Sequence, residues 1–221
     1  MMLAELWQHL SWALLGQWLE WGLWRVFLVH CAVLIVPTWR VVPKVFWHTP
    51  WAALLKYTAL VPLNVAATYA AMLLAPLLAA LARPNGWLPF WAKWASTHDE
   101  WLYGYATQIG TEPIAATVLA RYWQRVRWIW RNPAYHFAHH VCGYKARRGI
   151  ASRTSDVRNA TITGDRDAGT PMFATAAWGD AFYVELVLFG KVRVGTGWKL
   201  WRGDVYDPDG VCMMATKIGW V

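Results

Sequence analysis

The chain has 221 residues, of which 57% are hydrophobic and 15% are charged. Because a typical soluble domain is about 25% charged, this composition argues against an ordinary soluble protein. The 19 tryptophans exceed what a core of this size requires, and Trp is favoured at membrane–water interfaces. The composition therefore indicates a membrane-associated protein with room for one or two small domains.

The cysteines and the N-terminus limit the cellular setting. Cys31, Cys142 and Cys212 are widely spaced and form no Cys-x-x-Cys motif. They are typical of reduced structural thiols, so nothing argues for an oxidising compartment. The first ten residues, MMLAELWQHL, include an acid and lack a basic segment, which distinguishes them from a secretory signal peptide.

Residues 3–20 have the periodicity of a helix with one narrow polar face. The apolar pattern continues through residues 21–38, with no charge between Arg25 and Arg40. Two interpretations stay open here. Either residues 3–20 lie in the interface while residues 21–38 cross the bilayer, or the whole segment is an interfacial or re-entrant helix.

Residues 37–50 form a connector interrupted by three prolines, Pro37, Pro43 and Pro50. Proline lacks the backbone N–H and clashes with the preceding helical turn. The connector is therefore predicted to be a turn at the interface rather than helix.

The most apolar stretch is Tyr57–Ala82, which contains no charged residue. A helix needs about 20 apolar residues to cross a hydrocarbon core about 30 Å thick. Pro62 and Pro76 predict kinks within this helix rather than its end. We therefore predict a membrane span, with the buried central helix of a soluble protein as the alternative. Residues 1–82 form the predicted N-terminal anchoring region.

A Trp-rich, basic region follows over residues 83–151. Tryptophans on both sides of the span predict an aromatic belt at the membrane surface. Residues 83–158 carry eleven Lys and Arg against four Asp and Glu. By the positive-inside rule this basic excess predicts a cytoplasmic C-terminal part. The predicted interface tryptophans are Trp47, Trp51, Trp87, Trp91, Trp94 and Trp101.

Within this region, residues 113–132 predict a basic amphipathic helix. One face holds Leu119, Tyr122, Trp123, Val126, Ile129 and Trp130. We expect the basic residues to contact anionic lipid headgroups, with packing against the chain's own C-terminal part as the alternative. Nucleic acid is a less favoured partner, because the charge lies beside a span. The predicted lipid-facing cations are Arg121, Arg125, Arg127 and Arg131.

Residues 152–221 change in character. Residues 152–171 are polar and rich in Gly and Asp, which predicts a linker. β-branched and aromatic runs after it predict three or four short antiparallel strands in a small meander that packs on the basic helices. The predicted fold class is an α+β membrane protein with one or two membrane helices, amphipathic interfacial helices and this sheet.

A histidine cluster is the one motif that suggests metal chemistry. His136, His139 and His140 have the His-x-x-His-His spelling of di-iron lipid desaturases. Such a site needs about six to eight ligands from several helices, and no second paired motif is present, so an aromatic and His-rich interfacial helix is the preferred interpretation. We predict no catalytic residue, no cofactor and no bound metal. Two acidic loops, Asp165/Asp167 and Asp204/Asp207/Asp209, lack a complete calcium-binding pattern.

The order of segments resembles a family of small membrane proteins encoded by tailed bacteriophages. The similarity covers roughly residues 55–201, through LLAPLLAALARPNG, WLPFWAKWASTHDE, RYWQRVRWIWRNPAYHFAHHVCG and GTGWKLW. Its most specific part is Trp128–Gly143. The resemblance implies a protein of the host inner membrane, and the family carries no established activity.

We therefore expect a non-enzymatic membrane protein that alters the envelope, excludes other phage or recruits a partner. The alternatives are a membrane or virion structural component, a lysis or pore protein, and a lipid-modifying metalloenzyme that uses the histidines. Holins have little beyond their spans, so the long C-terminal part argues against a pore. The sequence leaves the oligomeric state and the protein partner open.

Overall fold

A computed structural model describes most of the chain. The described residues are 2–45, 51–97, 101–145, 160–163, 171–176, 181–188, 191–200 and 211–220. The helices are α1 (Met2–Val45), α2 (Trp51–Leu81), the 3₁₀ helix η1 (Phe90–Ala95), α3 (Gly104–Thr107), α4 (Val118–Arg131) and α5 (Tyr135–His140). The strands are β1 (Tyr144–Lys145), β2 (Ala160–Thr163), β3 (Met172–Ala176), β4 (Phe182–Leu188), β5 (Val192–Trp198), β6 (Val211–Cys212) and β7 (Met214–Trp220).

The first helix is one continuous element of 44 residues. It has no break between residues 3–20 and residues 21–38, as in the interpretation that makes the whole segment one helix. Whether residues 21–38 cross the bilayer stays a prediction. The length of α1 is about 66 Å at a rise of about 1.5 Å per residue, roughly twice the thickness of a hydrocarbon core.

The predicted turn over residues 37–50 is wrong for its described part, because Pro37 and Pro43 lie inside α1. An interior proline costs about 3 kcal/mol. That cost is offset by packing, since Leu34, Thr38 and Val42 are fully buried on one side of the helix. Tertiary contact thus overrides the local preference of proline.

The second helix confirms the prediction of a long apolar helix, with a different start. It begins at Trp51, so Lys56 lies within it, and Pro62 and Pro76 are inside the helix. It runs antiparallel to α1: Trp39 Nε1 donates to Thr58 Oγ1 at 2.9 Å, and His30 Nδ1 lies 2.8 Å from the Tyr69 hydroxyl. The two helices form a hairpin.

The C-terminal part is a five-stranded antiparallel sheet in the order β2-β3-β4-β5-β7, beside a two-stranded pair of β1 and β6. The prediction of three or four strands was therefore too low. The additional strand, Ala160–Thr163, lies in the segment predicted to be a linker and pairs with β3 from Ala160↔Ala176 to Thr163↔Phe173. Its β-branched residues form a strand because a neighbour is present to pair with them.

The sheet shares its hydrophobic core with the hairpin and not with α4. The Tyr57 ring lies 5.6 Å from the Phe182 ring and 5.9 Å from the Trp198 ring. The Tyr57 hydroxyl donates to the carbonyl oxygen of Ala215 at 2.9 Å. The C-terminal strands β6 and β7 also contact α5, so α5 meets the expectation that the sheet packs on the basic helices, while the main core lies on the hairpin.

The middle of the chain packs on the other half of α2. Ala71, Ala75 and Leu78 of α2 form a second core with η1 and α4. The approach is close at Gly104, where an added Cβ would lie 1.9 Å from the Trp128 ring. One side of α2 is therefore covered along its length, first by the sheet and then by the helical region.

Candidate membrane-contacting surface

Two segments of the hairpin could cross a membrane by length and composition, Gly22–Lys44 and Trp51–Leu81. The core helix of a soluble protein can pass the same test, but such a helix is mostly buried. Here only 22% of the α1 window and 33% of the α2 window are buried. Both helices therefore present more apolar surface than the folded chain covers.

Many large apolar residues of the hairpin are exposed, and we call the surface that they form the open face. The exposed cations Arg25, Arg40 and Lys56 lie on the same two helices. Leu73 is 74% exposed, Leu23 is 62% exposed and Leu63 is 57% exposed. Large exposed apolar patches mark sites of contact with lipid or with another protein. The open face comprises Leu23, Trp24, Val26, Leu28, Val29, Val36, Leu55, Leu63, Met72, Leu73, Leu74, Leu77 and Leu81.

The opposite side of the hairpin, which we call the covered face, repeats at helical spacing. On α1 it contains Cys31, Leu34, Thr38 and Val42, three or four residues apart. On α2 it contains Tyr57, Val61, Asn64, Ala71, Ala75 and Leu78. The hairpin therefore has one face packed by protein and one face that the described chain leaves largely uncovered.

Most of the predicted interface tryptophans lie near the ends of the hairpin. Trp51 and Trp91 are more than half exposed, and Trp87 is 39% exposed. Trp101 Nε1 donates to the carbonyl oxygen of Asn85 at 2.6 Å, while Trp94 packs partly buried in the second core. Trp47 lies outside the described residues. Contact of these side chains with a membrane stays a prediction.

The amphipathic helix α4 is rotated from the predicted arrangement. Thr117 caps its N-terminus by accepting from the Ala120 N–H. Val126 and Ile129 of the predicted apolar face are buried, but Leu119 is 76% exposed and Trp123 is 49% exposed. The apolar face therefore divides between the protein core and the surface, because polar contacts of α4 hold part of its predicted polar side inward.

Arg125 is the main such contact, and its predicted lipid-facing role is wrong. Its guanidinium donates to the carbonyl oxygens of Ala82, Arg83 and Pro84 at 3.0–3.2 Å. It also bonds the Tyr103 hydroxyl and lies 5.0 Å from that ring's centroid. The last carbonyls of a helix lack partners and attract positive charge. Arg125 therefore caps the C-terminal end of α2.

Arg127 also differs from the prediction, because it is paired within the protein. Its guanidinium contacts both carboxylate oxygens of Glu112, at 2.9 and 2.5 Å, and lies 5.0 Å from the centroid of the Tyr105 ring. Hydrogen bonds from Arg127 lower the pKa of the Glu112 carboxyl. Of the four predicted lipid-facing cations, Arg121 is half-buried and Arg131 is exposed, and their contact with lipid stays a prediction.

The three clustered histidines lie together on the short helix α5. The His136 and His140 rings are 4.1 Å apart, and the His139 and His140 rings 4.6 Å. Within the described part of the chain, no group of three or more His, Cys, Asp or Glu side chains is placed to hold a metal ion. A His-box metalloenzyme therefore gains no support from these residues. The two acidic loops, His48 and His98 lie outside the described residues.

All three cysteines are buried and free of disulfide bonds, as reduced structural thiols should be. Burial raises the pKa of the Cys142 thiol to about 11. At neutral pH this thiol is almost entirely protonated and therefore a poor nucleophile. A catalytic role for Cys142 is thus disfavoured.

Sequence reasoning attached no role to the polar residues inside the hairpin. Asn64 is 2% exposed and its Nδ2 donates to Thr216 Oγ1 at 2.6 Å. The signal available in the sequence was an amide in the middle of an apolar run, where polar residues are costly unless they have a partner. Asn64, His30 and Tyr69 all lie on or beside the covered face.

Comparison of the sequence with known proteins identifies a family and no individual relative. No curated protein and no solved structure matches the chain. A family model described as a family of unknown function, DUF7338, matches residues 48–220. The match includes α2, the helical region and the sheet, and begins after α1. The chain therefore belongs to the DUF7338 family.

Proposed function

We propose that this chain is a membrane-bound, non-enzymatic interaction protein. The open face of the hairpin contacts lipid hydrocarbon, and the sheet and α3–α5 are presented to the aqueous phase for a protein partner. The observation that carries this proposal is the exposure of the open face, where Leu73 and Leu77 are 74% and 57% exposed. Leaving that surface in water costs about 25 cal/mol per Å² of apolar area.

The packing of α2 supports one orientation over another. If the hairpin crossed the bilayer, the sheet and α4 would lie at bilayer depth, because they cover α2 along its length. An open sheet edge in hydrocarbon leaves backbone groups without partners. This cost is avoided if the hairpin lies along one leaflet with the open face toward the hydrocarbon. We therefore favour this orientation over the full crossing expected from hydropathy.

The location proposed for the protein is the inner membrane of a phage-infected host, with the C-terminal part cytoplasmic. The basic excess of residues 83–158 supports this orientation, because cationic segments favour the anionic cytoplasmic leaflet. The phage origin rests on the sequence resemblance. Protease treatment of spheroplasts tests the orientation, since digestion of the sheet from the periplasmic side would contradict it.

The proposal is tested by vesicle flotation of the full chain. We expect the wild type to float with vesicles and to resist carbonate extraction, and the double variant Leu73→Asp/Leu77→Asp to float much less. The matched control is Val141→Asp, which alters an apolar side chain that is 60% exposed but lies outside the hairpin. Soluble wild-type protein without detergent, or equal flotation of the double variant, would overturn the proposal.

A further inference from the structure

A row of apolar side chains lies on the exposed side of α4, outside the hairpin. Leu119, Trp123 and Trp130 are all exposed. At 3.6 residues per turn, these three positions fall within about 40° of one another around the helix axis. The distance from the first to the last of them is about 17 Å along that axis. We call this row of three side chains the α4 stripe.

The α4 stripe meets the open face of the hairpin at Trp130. The Trp130 Nε1 donates to the carbonyl oxygen of Met72 at 3.0 Å, and Met72 belongs to the open face. The Trp123 ring stands edge-on to the Trp130 ring, with the ring centroids 5.5 Å apart. The two exposed apolar surfaces therefore adjoin each other, although they belong to different parts of the chain.

The α4 stripe also extends past the end of α2. Arg125 bonds the carbonyl oxygens of residues 82–84, whereas Trp130 bonds Met72, so α4 runs antiparallel to α2. Leu119 precedes Arg125 by roughly two helical turns and is therefore placed beyond the last residue of α2. If α2 crossed the bilayer, Leu119 would lie outside the span. If the hairpin lies along one leaflet, the stripe and the open face reach similar depths.

The chemistry of the α4 stripe fits the boundary between lipid headgroups and acyl chains. Tryptophan favours this boundary because its ring is apolar and its N–H needs a polar partner. The N–H of Trp130 has such a partner in the Met72 carbonyl, so the ring can enter an apolar phase. On the same helix, the Arg127 guanidinium is paired with the Glu112 carboxylate. Neither of these charges therefore approaches lipid without its partner.

We propose that the α4 stripe is a second membrane-contacting surface, which inserts at the headgroup boundary of the leaflet that holds the hairpin. Continuity with the open face favours lipid over a protein as its occupant, because a protein that covered the stripe would have to end where the open face begins. This inference rests on the proposed function and deepens it by fixing how the protein lies on the membrane. In this arrangement α4 marks the edge of the lipid, and α3, α5 and the sheet stay accessible to a partner.

The test places a fluorescent probe on the α4 stripe and a second probe beside it. The three native cysteines are buried, so an introduced surface cysteine should label selectively in the folded full chain. Leu119→Cys carries the probe on the stripe, and Val118→Cys is the matched control. These neighbours are 76% and 75% exposed and point about 100° apart around the helix. With vesicles of phosphatidylcholine and phosphatidylglycerol, we expect the probe at position 119 to gain emission and to be quenched by lipids that carry a nitroxide near the headgroup. The probe at position 118 should respond much less.

A second pair of variants measures the contribution of the stripe to binding. Leu119→Asp should lower vesicle binding about tenfold, as expected when one apolar side chain no longer enters lipid. Val118→Asp should lower it much less. Both positions lie in the first turn of α4, where a carboxylate is favourable, so neither change should unfold the helix. Equal losses in the two variants would overturn the assignment of the stripe.

The outcomes separate the α4 contact from the proposed function. If the chain floats with vesicles and the probe at position 119 stays in water, the α4 contact is overturned and the hairpin surface stands. If that probe enters lipid but Leu73→Asp/Leu77→Asp floats like the wild type, the α4 contact is supported and the role of the hairpin is contradicted. A gain of emission at high protein concentration without vesicles would assign the stripe to a second copy and overturn its lipid contact. A chain that does not float contradicts both.

Discussion

The covered and open faces of the hairpin belong to the same two apolar helices and have opposite surroundings. Ala71 and Ala75 on the covered face are fully buried, whereas Leu73 between them is 74% exposed. The difference lies in their partners, because η1 and α4 pack around Ala71 and Ala75, whereas most of the Leu73 side chain is uncovered. Hydropathy alone therefore identifies an apolar helix without saying which side meets protein and which side meets lipid.

Polar residues distinguish the two faces better than apolar residues do. Tyr57, Asn64 and Thr58 each make a hydrogen bond to another element or to the helix's own backbone. The open face consists of apolar side chains. An uncharged polar residue in an apolar helix thus indicates the side on which protein packs, since only protein supplies it with a partner.

The largest expected effect comes from comparing a buried tryptophan of the sheet with an exposed tryptophan of η1. Trp198 is fully buried and its Nε1 donates to the carbonyl oxygen of Cys142 at 2.8 Å, whereas Trp91 is 62% exposed. Trp198→Ala should lower the free energy of unfolding by about 3–5 kcal/mol, and Trp91→Ala by less than about 0.5 kcal/mol. Pulsed thiol labelling of the three buried cysteines during denaturant unfolding measures both values. Equal labelling of the two variants would contradict the burial of Trp198 and the exposure of Trp91.

A charge on the open face should act on membrane binding and not on folding. Leu73→Asp places a carboxylate where we propose lipid, which costs about 2.5–3.5 kcal/mol at the centre of a bilayer and less near its surface. Vesicle partitioning should therefore fall by up to about a hundredfold, with thermal unfolding in detergent nearly unchanged. The control is Ala75→Asp on the covered face, which should unfold the protein. Unfolding by Leu73→Asp would show that the open face packs against protein.

Removing the cap of α2 should loosen the helical region. Arg125→Met removes a donor from the carbonyls of Ala82, Arg83 and Pro84, of which Arg83 keeps the Gly86 N–H and Pro84 keeps the Tyr103 hydroxyl. We expect a loss of about 2 kcal/mol, typical for hydrogen bonds to a charged group. Arg125→Lys should restore little of the lost stability, because a lysine ammonium cannot reproduce the planar arrangement of donors in a guanidinium. Arg121→Met on the same helix is the control. Hydrogen exchange of α4 amides measures the effect, and equal protection in all three variants would contradict the capping role.

The smallest expected effect concerns the ion pair at the surface of α4. Because Arg127 lowers the folded-state pKa of Glu112 below its ordinary value of 4.5, the pair stabilises the fold above pH 4.5. That contribution is lost as the pH falls below 4.5 through the lower folded-state pKa. Glu112→Gln should flatten the change of melting temperature between pH 6 and pH 3, and high salt should have a similar effect on the wild type. If the melting temperature of Glu112→Gln changed with pH as much as that of the wild type, the stabilising role of the ion pair would be contradicted.

Several features of the fold could be predicted because they depend on local pattern. The apolar run Tyr57–Ala82 predicted a long helix, and the β-branched runs after residue 181 predicted antiparallel strands. Proline chemistry misled the prediction at Pro37 and Pro43, where packing of α1 holds the helix together. The strand Ala160–Thr163 was missed because its polar flanks resemble a linker. It forms by pairing with β3, and no local sequence pattern marks that pairing.

The sequence by itself determined that the chain has two long apolar helices, a basic Trp-rich middle and a small sheet, since hydropathy and β-propensity are properties of neighbouring residues. Only the tertiary structure decided which side of the hairpin is free, because that depends on where the sheet and α4 pack. The tertiary structure also shows that Arg125, which was predicted to contact lipid, caps the end of α2. It places His30, Asn64, Arg131 and Lys217 around one cavity. These arrangements join residues far apart in the chain, and no periodicity along the sequence encodes such distances.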